Sequence, residues 1–223
     1  MNPLCIPEHI SWQLKEMKEG ELYQIQWNEI ITVVSGKLYD SIKWELKTFE
    51  SSAFYRGNIE ASEDSLVSIF TIQERDIMLD EIDVELVFWE YCRKNWKRLS
   101  ELPGCEKLTS TDLYRGNQVA CDFQGISYKF NLWFCGANVD CLWHNQHNFI
   151  ETHTNLAGSG YMQKSCDGTN DWLEETYGLL PGNSHRTFNI PWETETNGNP
   201  KYPMHRWLGW KTGNVWFVIE KYI

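Results

Sequence analysis

Most of the chain alternates apolar and polar residues over short runs, the period of extended strands. In the first part, "ELYQIQW" with "EIITVVSG", and "SIKWELKTF", read as extended segments joined by a Gly/Lys turn. The acidic "GNIEASEDS" reads as a solvated loop before the apolar "LVSIFTI". Between roughly Asp76 and Leu102 the period changes. Leu86, Trp89, Cys92 or Arg93, Trp96 and Leu99 recur at helical spacing, with acids early, bases late, and "LPG" as the stop. From about Tyr128 the chain becomes a succession of short strands: "YKFNLWFCG", "VDCLWHN", "FIETHTNLAG", "GYMQKS", "WLEETYGLLPG", "HRTFNIPW", "PMHRWLGW" and "NVWFVIEKY". Gly, Asn, Asp and Pro turns separate them, including a reversal at "AGSG". This pattern predicts a mainly β chain: an α+β extension over residues 1–127 and a β-barrel or sandwich over 128–223. The extension either enlarges the barrel, caps its mouth or forms a dimer contact. No internal repeat is convincing, and a degenerate first copy of the barrel stays open.

The composition sharpens this picture. With 223 residues, 42% of them hydrophobic, the chain can bury a core. A formal charge of -11 argues against a nucleic-acid partner and against an anionic membrane surface. No apolar run reaches membrane-span length, and the start lacks the marks of a secretion signal. Cysteine is present seven times, an odd count without a C-x-x-C pair, which suits reduced thiols in the cytoplasm.

Candidate chemistry concentrates in "WHNQHNFIETHTNLAGSG", starting at Trp143. In an extended chain His144 and Gln146 point one way, Asn145 and His147 the other, and Glu151 shares a face with His153. Imidazoles and a carboxylate meeting at one point would suit Fe, Mn, Ni, Co or Zn. Farther on, "PGNSHRTFN" places His185 three residues after Gly182 in a Pro-Gly turn. Together the two segments resemble the paired motifs of the cupin superfamily. Glu151 and Gly158 keep the first motif's spacing, and Pro181 to Asn189 keep the ending of the second. The first motif's histidine pair is degenerate: one register supplies His144 with Gln146, the other Asn145 with His147. The first is preferred, because His144 continues the strand "VDCLW".

The resemblance covers the last hundred residues or so. It implies a cupin-type jelly-roll barrel holding one divalent metal, Fe(II) by preference, with Zn, Mn or Ni as alternatives. His144, Glu151 and His185 are the first-choice ligands, with His153, Gln146 and His147 as candidates for a fourth. Tyr161 and Gln163 are candidates to line the pocket, and His205 with Arg206 to supply an acid or an anion clamp. Trp133, Trp143, Trp207, Trp210 and Trp216 are candidate pocket walls. The implied activity is that of a metal-dependent enzyme acting on a small, amino-acid-like or other biosynthetic molecule, with oxygenase chemistry preferred over isomerase or lyase. A homodimer is the usual assembly of such proteins. The competing reading is a non-catalytic ligand-binding or assembly module, supported by the missing second histidine.

Overall fold

The run "EIITVVS" forms strand β3 (Glu29–Ser35), buried from Glu29 through Val34. Odd and even positions serve two different cores. Ile31 and Val33 join an apolar cluster with Met17, Ile25, Leu38 and Ile59, whereas Ile30 and Val34 join another with Phe70, Phe130 and Phe217. A strand covered on both faces has no polar side to show, so its sequence is a continuous apolar run. Strand β8 (Ser65–Ile72) divides in the same way, Val67 and Ile69 against Leu66 and Phe70.

The computed structural model describes residues 4–8, 10–26, 28–40, 42, 44–72, 82–102, 112–145, 148–168, 173–185, 187 and 202–222. Strands β1 (Ile10–Met17), β8, β3 and β6 (Ser51–Phe54) form one antiparallel sheet in that order. A second sheet lies across the first cluster: β2 (Leu22–Ile25), β7 (Gly57–Ala61), β4 (Lys37–Asp40) and β5 (Glu45–Lys47). Strand β7 corrects an expectation, because it comes from the acidic stretch read as a solvated loop. Ile59 and Ala61 sit two apart and are buried while Asn58 and Glu60 face out, enough to hold a half-buried strand.

The other face of β3 and β8 packs on the C-terminal sheet. Its centre is β13 (Ile150–Ser165), β15 (Met204–Tyr222) and β12 (Ile126–Cys135). Strand β14 (Leu173–Leu179) lies beyond β13, while β10 (Leu113–Arg115), β9 (Lys97–Arg98) and β11 (Val119–Phe123) lie on the β12 side. Phe217 meets Phe70 at 5.0 Å and Phe130 at 5.7 Å between ring centroids. Each such ring contributes about 1.5–3 kcal/mol by burial. A hydroxyl contact of 3.1 Å between Thr32 and Thr154 crosses the same interface. The compositional change at residues 127/128 falls inside β12, and β10 and β11 already belong to the C-terminal sheet.

Helix α1 (Ile82–Asn95) is the described part of the expected helix, and it ends earlier than Leu102. Phe88, Trp89, Cys92 and Trp96 lie on the Phe130–Phe217 cluster. Arg93 turns outward to a two-pronged pair with Asp112 (3.1 and 2.6 Å). Leu99 is buried in a separate 3-10 turn.

Two further expectations are corrected. "FIETHTNLAG" and "GYMQKS" do not reverse at "AGSG" but form the single strand β13, and "PMHRWLGW" with "NVWFVIEKY" forms the single strand β15. The pair bends instead of turning. Register runs Ala157 to Val215 and Gly158 to Asn214, then jumps to Gly160 opposite Gly209, leaving the residues between 209 and 214 as a bulge. Gly158 and Gly213 hold φ of +69° and +77°. At the crossing, a Cβ on Gly158 would stand 2.2 Å from the Gly213 carbonyl oxygen. The bend folds the sheet over itself, giving the expected mainly β, jelly-roll arrangement without an unbroken closed ladder. "VDCLWHN", expected as a strand, contributes only bridges from Asp140 to Leu208 and from His144 to His205.

Candidate functional site

The period-two alternation of β13 places Thr152 and Thr154 toward the N-terminal sheets and Glu151 and His153 into the fold of the C-terminal sheet. Across the bend, His205 and Trp207 point into the same interior from the first half of β15. Trp207 packs on His153 at 4.8 Å and on Trp216 at 4.7 Å between ring centroids. His185 arrives on the Pro-Gly turn. Gly182 (φ +84°) donates to the Asn155 carbonyl, Asn155 donates to that of Asn183, and Ser184 bridges to Thr154. The Thr152 hydroxyl donates to the His185 carbonyl at 2.8 Å. On its other side the turn rests on β6, where the Ser51 hydroxyl donates to the Gly182 carbonyl.

Four ionisable side chains therefore meet with almost no access to water: Glu151 is 4% exposed, His153 and His185 1%, and His205 0%. They form a chain of contacts. His185 Nε2 lies 2.6 Å from His153 Nδ1, His153 Nε2 lies 3.9 Å from Glu151 Oε2, and Glu151 Oε1 lies 3.2 Å from His205 Nε2. The far nitrogens decide the protonation. His205 Nδ1 is 3.0 Å from the Pro203 carbonyl, which can only accept, so this nitrogen carries the hydrogen. In a neutral His205 the lone pair on Nε2 then faces the Glu151 carboxylate. If His153 donates from Nδ1 to His185, its Nε2 lone pair also faces that carboxylate. Two lone pairs directed at one buried anion call for a positive charge, either a proton on one imidazole or a cation held between them.

That arrangement fits a divalent cation. The donors are two imidazoles and a carboxylate; His205 gives its other N–H to the Pro203 carbonyl, as metal-ligating histidines do, and His153 holds its other nitrogen against His185. Among the described residues, no three His, Cys, Asp or Glu side chains are spaced as ligands of a bound ion. The fit rests on donor type and on the convergence of the two ring nitrogens on the Glu151 carboxylate. Glu220, the cross-strand neighbour of Glu151, is also buried, but it is engaged by Asn131 (2.9 Å), Tyr222 (2.8 Å) and Gln118.

The other sequence candidates separate clearly. The His144 ring lies tilted beside that of His205, at 4.5 Å between centroids, and donates from Nδ1 to the Leu142 carbonyl at 2.9 Å. It reaches the cluster from the 139–145 segment, which pairs with β15 and not with β13. Gln146 and His147 lie outside the described residues. Tyr161 and Gln163 are not brought to the cluster. Met162, between them, holds the inward position opposite Trp207, so its neighbours face away. Gln163 instead accepts from Arg206 at 3.0 and 2.9 Å, and Arg206 also pairs with Asp140 (2.6 Å) and lies over Trp143. Arg206 is thus a clamp on the 139–145 segment. Trp133, Trp207 and Trp216 fill the interior, while Trp210 is exposed beside Tyr161.

Tyr202 was not legible as a site residue. Its hydroxyl accepts from the Glu151 amide at 2.8 Å, and its ring lies 5.3 Å from that of His205. Burial, with the Glu151 charge adding to it, pushes this hydroxyl well above its usual range, so it stays protonated. Tyr202→Phe is expected to strand the Glu151 amide and cost about 1–3 kcal/mol. A lower denaturant midpoint at unchanged slope is the corresponding observation.

Comparison with known proteins finds similarity among solved structures alone. No family model and no curated protein matches the chain. Among solved structures it is similar to a cupin 2 conserved barrel domain protein from Leptotrichia buccalis, at 11% identity over 96% of this chain and 84% of that one, TM-score 0.35. Oxalate decarboxylase from Bacillus subtilis is similar at 10% identity, 96% and 68% coverage, TM-score 0.36. A protein of unknown function from Pseudomonas syringae pv. tomato is similar at 12% identity, 96% and 83% coverage, TM-score 0.32. Among the described residues, no helix is long and apolar enough to cross a membrane.

Proposed function

We propose that the chain is a metal-dependent, cupin-type enzyme acting on a small molecule, with Glu151, His153 and His205 as the metal donors. The observation that carries this reading is the convergence of two buried imidazoles on one buried carboxylate, with ring nitrogens 3.2 and 3.9 Å from its oxygens. Two histidines and one carboxylate with further positions open are the donor set that suits non-haem Fe(II) oxygenases, so oxygenase chemistry is preferred to isomerase or lyase chemistry. When bound, the ion would supply Lewis acidity toward a substrate oxygen or a water molecule.

The protein's own residues supply position. His185 holds the His153 ring through the 2.6 Å contact, and Thr152 holds His185 by its carbonyl. Pro203 fixes the tautomer of His205, and Tyr202 fixes the backbone of Glu151. Trp207 and Trp216 keep water from the inner side of the cluster. Relative to the sequence reading, His153 moves from candidate fourth ligand to first-choice donor, His205 from candidate acid to donor, His185 from ligand to the support of a donor, and His144 from ligand to a neighbour of His205.

Mass-spectrometric metal analysis of anaerobically purified protein tests the proposal. About one equivalent of iron, manganese, nickel or zinc per chain is expected. A wild-type chain that carries none, and takes up none on titration with these ions, removes the reading. It would favour a metal-free binding module, which the tryptophan-filled interior would then serve as a rigid scaffold.

A further inference from the structure

Two thiols stand beside the site without any part in it. Cys135 closes β12, and Cys141 follows after a turn in which Asn138 adopts φ +57°. That turn brings the two sulfurs to 3.8 Å. Both residues are buried, Cys135 completely and Cys141 with 7% exposure. Cys135 also donates weakly to the Val139 carbonyl, so its sulfur already points into the turn. The Cys141 amide donates to the Trp207 carbonyl, which ties the turn to the strand whose Trp207 ring packs on His153.

We propose that Cys135 and Cys141 are a redox-active pair that forms a reversible intramolecular disulfide with an oxidant of the peroxide class. Cys141, the slightly exposed member, attacks the peroxide oxygen; the O–O bond breaks, giving a sulfenic acid on Cys141 and one water. The Cys135 sulfur then displaces the sulfenic oxygen, which leaves as a second water after taking up the Cys135 proton. In total two thiols and one hydrogen peroxide yield one disulfide and two waters. The sulfurs need to close from 3.8 Å to about 2.05 Å, a movement the short turn can absorb. Burial, together with the neighbouring Cys135, pushes the Cys141 thiol well up, so the pair reacts more slowly than an exposed thiol such as Cys166.

The test uses the intact protein and hydrogen peroxide, followed by denaturation, alkylation with N-ethylmaleimide and trypsin. The peptide from Phe130 to Lys164 contains both cysteines and no other. It is expected to appear unalkylated and lighter by two hydrogens, and to return to the doubly alkylated form after dithiothreitol. In Cys135→Ser, a near-isosteric change, the dithiothreitol-reversible loss of two hydrogens from this peptide should vanish. The idea is overturned if the peptide remains doubly alkylated after prolonged exposure to excess peroxide, long after Cys166 has reacted completely. It is equally overturned if Cys141 is found joined to any cysteine other than Cys135.

Discussion

Glu151→Gln is expected to abolish metal retention while leaving the metal-free fold as stable as the parent, or more stable. The carboxylate supplies the negative charge a divalent ion needs, and glutamine keeps its volume without that charge. Removing a supporting hydrogen bond around such ions already costs about 10–100-fold in affinity, so losing the anionic donor should cost at least about 100-fold. The stability half of the prediction separates the proposed role from a structural one. A glutamine amide can donate to Nε2 of His205, which the carboxylate faces at 3.2 Å, giving a neutral hydrogen bond worth about 1 kcal/mol. If Glu151 were instead half of a buried ion pair with a protonated histidine, the same change would destabilise by about 3–5 kcal/mol.

Thermal melts with and without added ion read both halves. At a thousandfold excess over Kd the ion stabilises the parent by about 4 kcal/mol, or roughly 8–16 °C for a chain of this size. Glu151→Gln should show no such rise. A variant that melts well below the metal-free parent, or one that still gains the full increment, counts against the assignment.

Gly158→Ala is expected to lower stability by about 2–5 kcal/mol, combining roughly 1–2 kcal/mol for a left-handed backbone with about 1–3 kcal/mol for overpacking. The clash is not with a yielding side chain. The added methyl would meet the Gly213 carbonyl at 2.2 Å and the Trp89 ring at 3.0 Å, and both belong to the packed bend. Because this bend lays the His205 half of β15 over the Glu151 half of β13, the damage should reach the site. Chemical denaturation should give a lower midpoint, and any folded fraction should bind metal more weakly. By contrast Gly178→Ala, also in a strand of the same sheet, has open space around it and should change the midpoint little. Equal midpoints for Gly158→Ala and the parent would show that the strands cross with more room than the structure gives them.

Much of the candidate site was legible because β alternation is a local property. Glu151 and His153 share a face by their spacing alone, and the Pro-Gly turn announces that His185 begins a new segment. His205 was recognisable as a residue of interest, but its burial was not. It depends on Trp207, two positions on, facing Trp216 across a bend that no residue of "PMHRW" encodes. Tyr202 gave no signal, since a tyrosine that holds a backbone amide fifty residues away in sequence looks like any other. The expected reversal at "AGSG" failed for a related reason. Glycine marks a backbone freed from ordinary constraint, and a bend needs that freedom as much as a turn does.

By itself the sequence determined that the chain is mainly β, where a helix interrupts the strands, and that a carboxylate and several imidazoles lie on strands or turns of the second part. These follow from periodicity and turn chemistry, which act over a few residues. Only the tertiary structure decided that β13 and β15 run on through their glycines, that His205 meets Glu151, and that His185 supports His153. Those outcomes depend on which buried faces find one another, and contacts between residues tens of positions apart are settled by packing the whole chain.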